Sequence, residues 1–528
     1  MMSLLHTLAA PLGGDINSIK APAVNFGVIM PILIILGAAC LGVLVEAVVP
    51  KQLRYVAQLI VTVGAIVAAG VVTVIRAIGK DYALTFDGSL AVDQATYIMW
   101  GVLLVLALAS VLLMADRVSE PGGAFAAQAA ARPGSKRDRA FTATATKMQT
   151  EIFPLALFAI GGMLVFPASA DFITLFVGLE VLSLPLYLMC GMARRRRLIS
   201  QEAAVKYFLL GAFASAILLY GIALLYGYAG GLKYSDVALA SQAGGRSNTM
   251  LLIGMALLVV GLLFKGSVGP FHSWTPDVYQ GAPTPVTAFM AACTKVAAFT
   301  TMVRVFYSAF GPSKWNWEGT MWGIAIASMV IGAVIGITQT DIKRMLAYSS
   351  VAHAGFLMLG VITLTADGMS ATMFYLLTYG FATIGVLALL TLVRTPDGEA
   401  SSMQAWAGLA KKSPMLAAQM TIFMLSFAGI PLTAGFIGKF QVFTAAAESG
   451  MGALVVIAMV ATAVTAFFYL KIVVLMYFAS PVDDGPSVLV PGPLTMIVTA
   501  ACFAITVLLG LFPSWVIDLL NVHLPLLG

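Results

Sequence analysis

The sequence predicts an all-α membrane protein of about fourteen transmembrane helices, and three observations predict it. Of 528 residues, 60% are hydrophobic and only 10% charged, whereas soluble chains carry about a quarter charged residues. The apolar runs extend along nearly the whole chain instead of forming one anchor. Two of those runs are interrupted by glycine and proline beside a lysine, at 264–285 and near 430.

About 20 apolar residues cross a bilayer as a helix. On that ruler, spans begin near residues 24, 54, 94, 151, 172, 203, 249, 281, 319, 344, 368, 414, 451 and 493. Residues 1–115 form an N-terminal segment of three spans. Its start, "MMSLLHTLAAPLGGD", has no basic n-region, so no signal peptide is expected. Residues 116–150, rich in Ala, Gly and basic side chains, read as a surface linker. Two five-span units follow, 151–310 and 319–480, and 493–528 supplies the last helix.

The net charge of +6 lies in loops and speaks of orientation, not of nucleic acid. Loops after odd-numbered spans hold 17 Lys and Arg, among them Arg194 to Arg197, Lys343, Arg344 and Arg394, against 6 elsewhere outside the spans. The positive-inside rule makes the odd loops cytoplasmic and places both termini outside. "ARRRRL" at 193–198 reads as a topology determinant before a partner-docking patch. Cys40, Cys190, Cys293 and Cys502 lie in separate apolar spans; iron–sulfur clusters and structural zinc need clustered thiolates. These read as buried small hydrophobes, and no Gly-rich nucleotide loop is present.

The broken spans carry the chemistry. Gly269 and Pro270 follow Lys265, and Gly429, Pro431 and Gly435 precede Lys439. Proline removes a backbone donor, and freed carbonyls in lipid must face protein or water. The two breaks lie five spans apart, an odd number, so spans 4–8 and 9–13 are expected to be an inverted repeat. Six basic residues fall inside or at the edge of spans: Lys206, Lys265, Lys295, Arg304, Lys439 and Lys471. Glu46 and Glu180 are the clear intramembrane acids. An unpaired charge at bilayer depth costs ~2.5–3.5 kcal/mol or more, so these residues need partners or a wet path.

"HSWTPDVYQGAPTPVTAFMAACTKVAAF", "GLEVLSLPLYLM", "QTDIKRMLAYSSVAHAGF" and "GIPLTAGFIGKF" resemble the antiporter-like membrane subunits of proton-pumping NADH:quinone oxidoreductase, respiratory complex I. The wording "PDVYQGAPTPV" is nearest the N-type branch. The resemblance covers residues 150–480; spans 1–3 agree more in number and polarity than in words, and the linker is longer than the family leads one to expect. It implies a proton-translocating subunit without its own redox centre, with FMN, iron–sulfur clusters and quinone in partner subunits. Those partners would be the antiporter-like M subunit and small membrane subunits such as K and J, in a bacterial cell membrane. It also implies that Glu180 pairs with Lys265, and that Lys206, Lys295 and Lys439 complete the set. The same module occurs in multi-subunit cation/proton antiporters and membrane-bound hydrogenases, which stand as alternatives; no acidic cluster suited to sodium is evident.

A lysine withdrawn from water holds its proton less tightly, and a nearby carboxylate opposes that. Moving Glu180 relative to Lys265 would therefore switch Lys265 between loaded and empty, and Lys295 and Lys439 would carry the proton onward. Each group has a plainer reading. Glu180 can be structural, Lys265 can reach an interface, and Lys206, four residues past Glu202, can snorkel, as Arg304 and Lys471 near span ends are expected to do. His272 and His353 can relay protons or merely bind freed carbonyls. Asp277, with Pro276 and Pro283, reads as loop-shaping. Glu46 could meet a neighbouring subunit, and Gly332 and Gly336 read as close packing.

Overall fold

The structure, a computed structural model, describes residues 23–118, 122–126, 135–136, 149–243, 247–396, 398–481, 485–521 and 526–527. Most of the predicted linker and the first 22 residues lie outside the described residues. The apolar runs are helices: α1 Met30–Val48, α2 Arg54–Gly79, α3 Gln94–Ala115, α4 Ile152–Ala168, α5 Phe172–Cys190 and α6 Arg197–Ala229. A short α7, Tyr234–Ala243, precedes α8 Thr249–Lys265, α9 Thr275–Gly281 and α10 Thr284–Ser308. Then come α11 Lys314–Thr338, α12 Ile342–Thr363, α13 Ala366–Leu392, α14 Leu409–Lys412, α15 Pro414–Ala428, α16 Ala434–Glu448, α17 Gly452–Phe478, α18 Pro493–Leu511 and α19 Ser514–Leu519.

Several helix starts are written in the sequence. Asp93, Asp171 and Asp341 each accept a hydrogen bond from the backbone N–H three residues on, at 2.9, 2.7 and 3.1 Å, satisfying a donor that a helix start leaves free. Among the described residues, eleven helices are long and apolar enough to cross a membrane. The expected count of fourteen is not reached on length alone, because α4, α8 and α15 have only 15 to 17 residues. Seventeen residues rise about 26 Å, short of a ~30 Å hydrocarbon core. For α8 and α15 the reason is the predicted breaks: α8 stops at Lys265 and α15 at Ala428, and the chain resumes in α9 and α16.

The bundle buries α10, α12 and α13 at its centre, with 94 to 100% of their membrane-length windows covered, while α1, α2 and α6 keep most of theirs exposed. This places the polar residues of the apolar runs against protein, as lipid requires. The Gly332–Gly336 pair packs closely as expected, but toward two partners. A Cβ on Gly332 would lie 2.4 Å from the Ala352 backbone nitrogen of α12, and one on Gly336 would lie 2.8 Å from the Phe468 ring of α17. Gly332→Leu is therefore expected to destabilise the chain by at least about 1–3 kcal/mol, read as earlier thermal loss of the detergent-extracted protein. Three of the four cysteines are buried as expected; Cys40 is exposed on α1, and all four are free.

Short strands close both faces. On one, β1 (Ala83–Thr85) pairs antiparallel with β2 (Leu90–Val92). On the other, β3 (Val393–Thr395) lies between β4 (Gly398–Glu399) and β5 (Ser487–Val488), also antiparallel. The second face gathers Arg194 to Arg197, Lys343, Arg344 and Arg394, and is called the basic face below. "ARRRRL" has structural work there. Arg195 Nη1 donates to Pro396 O at 3.0 Å and Arg196 Nη1 to Ser401 Oγ at 3.2 Å, while the Arg194 N–H donates to Ala124 O at 2.9 Å. The tetrad fastens the β3–β4 hairpin and a fragment of the linker to the turn before α6.

Candidate functional site: a buried row of lysines

Lys265 ends α8, 4% exposed. Its Nζ donates to Ser183 Oγ at 2.8 Å and to Tyr207 OH at 3.0 Å. Glu180 lies one turn before Ser183 on α5, and its Oε1 accepts from Ser215 Oγ at 2.5 Å. Among the described residues no ion pair joins Glu180 to Lys265; each binds a serine hydroxyl instead, Ser215 for the glutamate and Ser183 for the lysine. The reason is local: at i and i+3 on one helix face, Ser183 meets the ammonium and Glu180 turns to α6.

Lys295 follows a π-helical turn, Met290–Thr294, inside α10; such turns widen a helix and recur at functional sites. Its Nζ donates to both the carbonyl and the hydroxyl of Ser350, each at 2.6 Å, and lies 5.2 Å from the centre of the Tyr379 ring. Lys439, 3% exposed on α16, donates to Phe427 O at 2.8 Å. That carbonyl is one of those left free where α15 breaks. Gly429, at φ 78, ends α15 in a left-handed turn, and its missing side chain leaves room for the lysine, since a Cβ would come 3.0 Å from Lys439 Cδ. The negative end of the α15 dipole thus faces the ammonium.

His353 stands between these two lysines. It is hydrogen-bonded through Nδ1 to Tyr375 OH at 2.6 Å and through Nε2 to Tyr469 OH at 3.1 Å. Tyr469 OH also bonds Ser349. The His353 ring centre is 5.0 Å from that of Tyr379, which faces Lys295, and 5.9 Å from that of Phe356, over which Lys439 sits. Ser350, His353 and Phe356 follow every third residue on α12, one helix face. The sequence picks out His353 and Lys295 but not their hydroxyl partners, Tyr375 and Tyr469 for the histidine and Ser350 for the lysine; for Ser350 the polar run "AYSSVAH" in an apolar span was the available signal.

His272 lies apart, in the break after α8, with its ring centre 6.0 Å from that of Tyr348 and its buried Nδ1 without a hydrogen-bond partner among the described residues. Lys206 is also outside the row. Its Nζ pairs with Asp277 at 2.6 Å and Glu202 at 2.7 Å, with 42% of the side chain exposed. Asp277, expected to shape a loop, also accepts from Arg344 at 2.7 Å, so it ties α9 to α6 and α12. Arg304 corrects its expectation: it is 2% exposed and does not snorkel. Asp93 and Thr96 on α3 and the Pro167 carbonyl at the end of α4 hold it at 2.8 Å each. Glu46 is taken within the chain by Gln58 at 2.9 Å and Arg54 at 3.5 Å.

At the basic face, Glu399 pairs with Lys343 at 2.9 Å and accepts from Thr284, the first residue of α10. Burial raises its pKa, but the Lys343 and Arg394 charges and the Thr284 hydroxyl outweigh this and hold it below the ordinary 4.5. A depressed carboxylate stabilises the fold above its unfolded pKa and loses that contribution as pH falls through the folded one. The protection of amides 398–401 against hydrogen exchange, relative to their intrinsic rates at each pH, is therefore expected to stay constant from neutral pH down to about 4.5 and to fall below it. Glu399→Gln should remove that dependence.

A family profile described as "NADH:quinone oxidoreductase/Mrp antiporter, TM" matches residues 169–465. The chain belongs to this family. A Saccharopolyspora erythraea protein named NADH-quinone oxidoreductase subunit N is 57% identical, over 96% of this chain and 99% of its own. A Mycobacterium bovis protein of the same name is 48% identical, over 95% and 98%. A chain of respiratory complex I from Thermus thermophilus superposes with a TM-score of 0.75 at 32% identity, covering 93% of this chain and 99% of its own. A chain of the Mrp complex from Dietzia sp. shares the fold, with a TM-score of 0.77 at 21% identity over 93% and 96%. In this antiporter-like family fold, Lys265, Lys295 and Lys439 all fall within the matched residues.

Proposed function

We propose that this chain is a proton-translocating membrane subunit of NADH:quinone oxidoreductase, acting as part of that enzyme without a redox centre of its own. The observation that carries the proposal is the row Lys265, Lys295, His353 and Lys439. These are four titratable groups at the core of a membrane bundle, and hydroxyls, backbone carbonyls and aromatic rings hold them where ion pairs would be expected. An ammonium held only by neutral groups can give up its proton without leaving a carboxylate stranded. In the order proposed, Lys265 takes a proton from the basic face under the influence of Glu180, Lys295 and His353 pass it on, and Lys439 releases it at the opposite face. Moving one charge against 100 mV requires ~2.3 kcal/mol, which must come from redox chemistry elsewhere in the complex.

The finer parts of the reading belong together. FMN, iron–sulfur clusters and quinone sit in partner subunits, and the neighbours are an M-type antiporter-like subunit and small membrane subunits of the K and J type. The chain lies in a bacterial cell membrane with the basic face cytoplasmic and both termini outside. Two inverted five-helix units, residues 151–310 and 319–480, supply the two broken spans. Lys206, in its exposed pair with Asp277, serves the basic-face end of the route.

The test uses a tagged chain extracted gently from native membranes. Flavin, iron–sulfur signals and quinone-dependent NADH oxidation should co-purify with it. A complex with neither flavin nor iron would instead make it a subunit of a cation/proton antiporter, and sodium flux would be the next measurement.

A further inference from the structure

Separate from the lysine row, helices α2, α3, α13, α18 and α19 leave an open groove of about 800 Å³ between them. Its walls are apolar: Val74 and Ile78 from α2, Val105 from α3, Phe381 from α13, Leu508 from α18 and Trp515 from α19. The mouth is polar, formed by Lys80, Tyr82 and Gln94 at the face opposite the basic one.

Length identifies the class of occupant. Along α3 the groove runs from Gln94 to Val105, eleven residues or about 16 Å. That is one leaflet of a ~30 Å hydrocarbon core. A neighbouring transmembrane helix needs the full thickness, whereas one acyl chain needs half. The charge at the mouth agrees. Lys80 ends α2 at φ 53, exposed, and makes no ion pair among the described residues. Its adjacent acid, Asp81, is taken by Arg76 at 2.8 Å. Tyr82 and Trp515 stand beside it, the residue types that settle at headgroup level.

We propose that this groove is a phospholipid site, with an acyl chain lying against Val105 and Phe381 and the phosphodiester on the Lys80 ammonium. The proposal is independent of the proton route, because no residue of the groove belongs to the lysine row.

Gly101 offers a probe position: it lines the groove, and a Cβ there would meet no atom within 4 Å. The intact complex would carry the photo-crosslinker p-benzoylphenylalanine at Gly101, with Val105 as a second position should the first not assemble. After detergent washing and irradiation, mass spectrometry of the α3 peptide should show a phospholipid adduct. The same probe at Val177, an exposed position on α5, should show far less, because annular lipid washes away. Lys80→Ala should lower the adduct about fivefold, the effect of one basic residue near a membrane surface. An adduct to another protein chain, a yield no greater than at Val177, or no effect of Lys80→Ala would each overturn the proposal.

Discussion

In the Lys295→Ala variant, proton transfer through this chain falls by about 10² or more, the usual contribution of a positioned proton-transfer group. The number of protons moved per NADH oxidised by the complex falls with it. The expectation follows from where Lys295 sits: between Ser350 and the Tyr379 ring, adjoining the His353 network. No other described Lys or Arg reaches Ser350, so nothing inherits its proton. Removing it takes one donor from the Ser350 carbonyl and hydroxyl, a cost of about 1–3 kcal/mol, which a bundle of this size survives. His353→Phe should reproduce the loss while keeping the ring packing. Lys206→Ala provides the contrast, since its ammonium is 42% exposed and paired with acids; its effect should be much the smaller. The comparison is made in sealed vesicles, with the amount of assembled complex measured alongside. An unchanged proton ratio in Lys295→Ala would remove Lys295 from the route.

Arg304→Met is expected to have the largest effect on stability, about 3–5 kcal/mol. The guanidinium holds both Asp93 oxygens at 2.8 and 2.9 Å and also binds the Pro167 and Leu527 carbonyls. It joins the start of α3, the end of α4, α10 and the C-terminal residues in one buried junction. Without it Asp93 is a buried carboxylate with no cation, and that unpaired charge, more than the lost attraction, sets the cost. Adding Asp93→Asn to Arg304→Met should therefore recover much of the loss, because the amide still accepts from the Thr96 N–H that Asp93 caps. Thermal denaturation of the extracted protein measures both variants. Equal instability of the single and double variants would locate the cost in lost packing instead.

Composition and spacing were enough to determine that the chain is a membrane helix bundle, where most helices start, and that two helices break beside Lys265 and Lys439. These features are local: apolar length, proline and glycine, and an aspartate three residues before the N–H it caps. The intramembrane lysines were legible for a related reason, since an uncompensated charge in an apolar run is conspicuous whatever surrounds it. What the charge meets is not local. Arg304 and Lys206 look alike in sequence, each a basic residue near one end of a span. Tertiary packing buries the first against an aspartate 211 positions away and leaves the second at the surface between Glu202 and Asp277. Only the packing of α5 on α6 and α8 gives Glu180 to Ser215 and Lys265 to Ser183. Likewise, only the convergence of α10, α12, α13, α16 and α17 brings His353 and its tyrosines between Lys295 and Lys439. A sequence states which charges must be accommodated in lipid; the fold selects their partners, because in a bundle those partners arrive from helices far apart along the chain.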